Sequence, residues 1–376
     1  MLFHGAKRPA ASQAPKSVRR GRTALVCGVT LFLALQVGFF PLSRLWPQIQ
    51  DGEYGHKLAN LRSQIRHKPK DKPVIVMFGS SLTGWGLNPS AMRELKPGTP
   101  NGPVVYNFGI NSGGVVVELM CLKRLLAEGV RPNLVLIETH PWFLFQSYNR
   151  VADKEHFLPV PRLQPRDLFV LFRYDAQPEQ LLREFVNRAW APWYYHRHDI
   201  QNYLVPQWVK RSERIGVWDY TDRHGWEGEL ANVASGPPLT MAERVASARY
   251  HIVAMKDAPI FLESTRAYRD IVTMCQRMGI PVMLVRMPEM QAMREESPPA
   301  LKEKIQHFYD ELVHDTGVPM IDARDWVADE HFRDGFHLLV EGSAIFSSRL
   351  ERELLGPFVA SFGRPEDLKS ATARER

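Results

Sequence analysis

Apolar and polar positions fall along this chain in two recurring periods. Short, nearly continuous apolar runs at 74–78, 104–107, 133–139, 281–288 and 319–322 have the length and β-branched content of buried strands. Between them lie stretches with apolar residues at helical spacing. The clearest is "GGVVVELMCLKRLLAEG" at 113–129, which stops at a glycine. Others are expected at 261–278, 299–316 and 342–355. Strands alternating with helices predict an α/β fold with a parallel sheet covered on both faces.

Two regions depart from this alternation. Residues 143–255 are rich in Trp, Tyr, Arg and His, show no clean period, and are too long for a structureless loop. A large, mostly helical insertion over the sheet is expected there. Residues 44–72 are polar with a weak helical period and predict a stalk, and 363–376 predict a frayed charged tail.

The stalk matters because of what precedes it. The segment "TALVCGVTLFLALQVGFFPLS", 23–43, carries no charge. As a helix at about 1.5 Å per residue it reaches roughly 30 Å, the thickness of a bilayer core. Six cations precede it, which places residues 1–22 in the cytoplasm and the rest of the chain beyond the inner membrane. No small-residue cleavage site follows, so an uncleaved single-pass anchor is expected in preference to a signal peptide.

Charge then changes meaning. The chain of 376 residues has a net charge of +7, with 48 Lys and Arg against 41 Asp and Glu. Residues 1–50 hold seven of the cations and no acid, which leaves a body balanced at 41 against 41. A nucleic-acid reader would carry its basic face on the folded domain, so that class is excluded. Cys27, Cys121 and Cys275 give neither a disulfide framework nor a zinc spacing. Cys121 and Cys275 are expected in the core. His196 and His198 beside Asp199 have no third spaced ligand, and no metal or other cofactor is expected.

Candidate chemistry sits at the strand ends. The first strand runs into "GSSLTGWG", 79–86. No lysine follows Gly84 or Gly86, so the loop is not a phosphate-binding P-loop. Ser81 would instead stand at the carboxyl edge of the sheet, where open α/β folds place their sites. Near the C-terminus "RDGFHLLVEGSA" brings Asp334 and His337 onto one short turn. There the carboxylate can fix the imidazole's tautomer while the other ring nitrogen faces a hydroxyl. The loop "VYNFGINSGG", 105–114, offers backbone N–H groups to a developing oxyanion.

In this order and spacing the three blocks resemble the SGNH (GDSL-like) hydrolase superfamily, across roughly 73–142 and 258–356. The resemblance implies a flavodoxin-like, three-layer α/β/α domain over about 73–362. It makes Ser81 the nucleophile, His337 the base and Asp334 its orienting partner. Gly109 falls in the family's glycine block, with Gly113 a second candidate donor because the usual glycine falls near Ser112. Two positions depart from the pattern. Ser80 replaces the acid before the nucleophile, as in membrane-anchored relatives acting on envelope polymers. His140 stands after the third strand where an oxyanion-hole Asn is usual, with Glu138 two residues earlier. Ser80, Glu138 and Arg286, which ends the fourth strand, are the candidate substrate-binding side chains. The expectation is an extracytoplasmic serine esterase or O-acyltransferase acting on an acylated cell-envelope glycan or lipid. The competing expectation is an inactive partner of a membrane acyltransferase.

Overall fold

The computed structural model describes residues 16–69, 71–145, 160–175, 177–209, 221–228 and 237–363. The basic leader up to residue 15, most of the charged tail and parts of the 143–255 region lie outside them.

Five parallel strands form one sheet in the order β2-β1-β3-β4-β5. They are β1 Val74–Gly79, β2 Val104–Gly109, β3 Leu134–Thr139, β4 Val282–Arg286 and β5 Met320–Asp322. β1 and β2 end in register at Gly79 and Gly109, and β3 and β4 at Thr139 and Arg286. All residues of β1, β2 and β3 are buried, as in a sheet covered on both sides. Their alternation divides the core. Val76, Phe78, Tyr106, Phe108, Val135 and Ile137 face one apolar cluster with residues of the helices Val115–Ala127, Leu262–Arg277 and Pro299–Thr316. Ile75, Met77, Val105 and Leu136 face the other, with Phe346 and Leu350 of the helix Val340–Leu350. Cys121 and Cys275 are buried and free.

The expected stalk is corrected. Residues 52–67 form the helix Gly52–His67, whose Tyr54, Leu58 and Leu61 are buried in the first cluster. The polar residues that made this stretch read as solvated are themselves paired. Lys57 meets Glu227 at 2.8 Å, and Arg62 meets Glu128 at 3.0 Å.

The described regular structure of 143–255 is helical: Pro165–Leu171, Pro178–Ala189, Pro192–Leu204 and Met241–Lys256, with short 3-10 turns. Leu163, Leu168, Leu171 and Leu181 join the cluster on the first sheet face. At the N-terminus a helix, Lys16–Leu45, contains the apolar window Arg20–Phe39 of mean hydropathy 1.6, long and apolar enough to cross a membrane.

Candidate active site

β1 delivers the chain to a tight turn into the short helix Ser81–Gly86. Ser80 caps that helix, its Oγ accepting from Leu82 N–H at 3.0 Å. The same hydroxyl donates to Glu138 Oε1 at 2.6 Å. Ser80 N–H (3.0 Å), Thr83 N–H (2.9 Å) and the Thr83 hydroxyl (2.6 Å) all donate to Glu138 Oε2. Burial raises the pKa of this carboxyl, against the pull of its four hydrogen bonds. A Cβ on Gly79 would overlap both Thr83 and the Glu138 carboxyl, so only glycine fits between strand and turn. Glu138 is therefore placed behind Ser81 with its oxygens taken up by Ser80 and Thr83, a brace for the turn and not the substrate contact expected of it. Ser80 shares in that brace but also lines the cavity over Ser81.

Asn107 braces the other side. Its Nδ2 donates to Thr83 O (2.7 Å) and Leu87 O (2.8 Å), and its Oδ1 accepts from Gly109 N–H (3.0 Å). Residues 221–228 close over the same helix: Glu227 N–H donates to Gly84 O (3.0 Å) and Trp226 Nε1 to Trp85 O (2.8 Å).

Ser81 is thus held in place, half-buried, lining a cavity on one side and meeting His337 on the other. His337 Nε2 lies 2.8 Å from Ser81 Oγ, and His337 Nδ1 lies 2.8 Å from Asp334 Oδ2. Asp334 Oδ1 accepts from the N–H groups of Phe336 (2.9 Å) and His337 (2.7 Å). Burial would raise the Asp334 pKa, but its hydrogen bond and charge attraction to His337 and the two amides hold it below the usual range. It is therefore a carboxylate at neutral pH, fit to orient the ring and stabilise an imidazolium. Trp85 and Phe336 sit 4.3 and 4.4 Å from the His337 ring, centroid to centroid, and fix its plane.

The two glycines expected to hold an oxyanion do not supply free donors. Gly109 N–H is taken by Asn107, and Gly113 N–H donates to Ile110 O at 2.8 Å. Gly109 serves close approach instead: a Cβ there would overlap Ser80 O and the Gly84 backbone. The open amides are those of Ser81, first residue of its helix, and Ser112, which has no hydrogen-bond partner among the described residues and takes a left-handed φ of 56°. Both residues line the cavity over the Ser81 hydroxyl.

That cavity, about 440 Å³, is lined on its far side by His140, Trp142, Phe143, His251 and Phe336. His140 Nδ1 accepts from Trp142 N–H at 3.4 Å. Burial first, and then the proximity of His251, His337 and Arg286, pushes its pKa down to about 3. The ring is then neutral with its proton on Nε2, the state needed to donate. His251 is fixed in the opposite tautomer, its Nδ1 donating to Ser247 O at 2.8 Å. Burial lowers its pKa too, and its Nε2 is left as an acceptor. Its ring meets Trp142 at 4.6 Å and Phe336 at 4.7 Å.

Arg286 is not brought to this site. Its Nη1 donates to Gln306 at 3.0 Å and its guanidinium covers the Tyr309 ring at 5.3 Å. It lines a separate cleft with Glu289, Arg294 and Arg324. Glu138, on the neighbouring strand, is occupied by Ser80 and Thr83. His196 and His198 are also separated, the first buried on Phe39 at 4.7 Å and the second exposed.

Sequence reasoning missed Asn107, Trp142 and His251, and touched Ser112 only as the position where a glycine is usual. Asn107 carried a signal, an amide inside an otherwise apolar strand. His251 carried none, because it sits on a long helix with no spaced partner.

No family model matches this chain, and no curated protein matches it by sequence.

Proposed function

We propose that the chain is a serine esterase or O-acyltransferase of the SGNH (GDSL-like) type. It is held by its N-terminal helix with the catalytic domain on the outer side of the inner membrane, and it acts on an acylated cell-envelope glycan or lipid. The observation that carries the reading is the relay of Asp334, His337 and Ser81, with both links at 2.8 Å, at the carboxyl edge of a parallel sheet and under a cavity. The strand order 2-1-3-4-5 is also the one a flavodoxin-like domain calls for, with the large, mostly helical 143–255 segment as its insertion.

His337 Nε2 takes the Ser81 proton as Oγ bonds to the carbonyl carbon. The charge gathers on the carbonyl oxygen, where the Ser81 and Ser112 N–H groups and His140 Nε2–H are the available donors. Asp334 stabilises the imidazolium, which protonates the departing alkoxide and leaves an acyl-Ser81. Water, or a hydroxyl of an acceptor glycan, then enters with His337 as base. Nε2 of His251 is an acceptor on the cavity wall, suited to a substrate hydroxyl.

The test uses the full chain in detergent or nanodiscs. Fluorophosphonate labelling and p-nitrophenyl acetate turnover are expected for the parent and lost in Ser81→Ala and His337→Ala. Acetylated xylo- or manno-oligosaccharide, formed when these acceptors are added, identifies a transferase. A folded parent that neither labels nor turns over would favour the inactive partner of a membrane acyltransferase.

A further inference from the structure

The helix Pro178–Ala189 carries two apolar stripes. Leu181 and Phe185 face the protein, Leu181 within the core. Leu182, Val186 and Trp190, again at intervals of four, are 44%, 46% and 78% exposed. The next helix, Pro192–Leu204, buries Pro192, His196 and Ile200 and turns Tyr194 outward. Trp208 beyond it is 74% exposed. A soluble monomer seldom leaves a stripe of large apolar side chains and two exposed indoles to water without a use for them. The cations here are of a particular kind. Arg197 covers the Tyr194 ring at 4.0 Å and Arg188 the Tyr195 ring at 5.5 Å. Aromatic rings with guanidinium groups beside them match the boundary between lipid tails and phosphates.

A second observation fixes the level of this surface. The backbone N–H of Trp193, an open donor in the first turn of its helix, donates to Gln36 Oε1 at 3.1 Å. Phe39 stacks on His196, and Phe39, Ile49 and Ile200 share one small cluster. Gln36 and Phe39 lie in the last turn of the apolar window Arg20–Phe39. If that window crosses the bilayer, its last turn is at the membrane boundary, and the helix Pro192–Leu204 is tied to it there.

We infer that the helices Pro178–Ala189 and Pro192–Leu204 lie in the headgroup layer, with Leu182, Val186, Trp190 and Trp208 in the outer part of the lipid tails. The inference rests on the spanning helix and is independent of the chemistry at Ser81. It makes the membrane a wide contact for the domain, in place of a single tether.

The test reconstitutes the full chain in phosphatidylcholine–phosphatidylglycerol vesicles. Trp190→Phe and Trp208→Phe isolate each indole by difference. Brominated lipids are expected to quench both by at least half, and aqueous iodide to leave them nearly unchanged. Quenching by iodide alone overturns the inference. Protection from both quenchers also overturns it, because a second copy of the chain would then cover the stripe. Alkaline carbonate flotation separates the premise: a chain that floats with vesicles while both indoles face iodide keeps its span and loses the inference, whereas a chain stripped from vesicles loses both.

Discussion

Four hydrogen bonds converge on one buried carboxyl, Glu138, and only an acceptor on both oxygens satisfies them. Glu138→Gln puts an NH₂ group against donors of Ser80 or Thr83. It is expected to cost about 2–4 kcal/mol in urea unfolding and to slow fluorophosphonate labelling of Ser81. His140 has the reverse problem, a ring kept neutral by burial. Its pKa is about 3 when folded against an ordinary 6.5. Between those values the unfolded chain binds a proton that the folded chain refuses. The stability it contributes is full above pH 6.5 and is lost as the pH falls toward 3. His140→Asn is therefore expected to flatten the fall of the urea midpoint between pH 6.5 and 4; an unchanged slope would contradict a buried neutral imidazole. Asn also keeps a donor. Turnover should survive His140→Asn within about tenfold, whereas His140→Ala should lose roughly 10²–10³ in kcat. That Ser81, Asp334 and His337 stand at one sheet edge was legible because strand-end and turn spacing are local. Which loop amides stay open was not, because that depends on Asn107 and Ile110, and no local rule says which carbonyl a loop N–H will find.

Elements were legible where one period dominated. The five strands and the helices Val115–Ala127, Leu262–Arg277 and Pro299–Thr316 stand close to where their apolar spacing puts them. The helix Gly52–His67 failed that test because its buried face includes Glu53 and Lys57. Lys57 Nζ meets the Glu227 carboxylate and Gly225 O, both at 2.8 Å. This ties the helix to the segment that closes over Gly84. Lys57→Ala leaves Glu227 buried without its cation and is expected to destabilise by about 3–5 kcal/mol. A matched Lys57→Met, Glu227→Gln chain should recover part of that loss. Urea unfolding of the two variants checks this, and equal losses would show that the pair does not act as one.

At the scale of the whole molecule, the N-terminal helix and the domain share a surface through Phe39, Ile49 and Ile200. A chain starting at residue 46 uncovers Ile200 and the Trp193 amide. It is expected to self-associate in sedimentation velocity unless detergent is present. The charge-free segment was legible in sequence, but its packing was not, since the partner helix is more than 150 residues away. The same distance in sequence governs the relay itself. Ser81 and His337 are 256 residues apart, so at about 5–20 residues per second His337 is made roughly 13 to 51 s after Ser81. The helix Val340–Leu350, which shares an apolar cluster with β1, is made later still. Until His337 emerges, Ser81 Oγ lacks the imidazole that stands 2.8 Å from it in the folded chain. On the proposed function, a copy interrupted before residue 337 holds the hydroxyl without its base and is expected not to label with a fluorophosphonate.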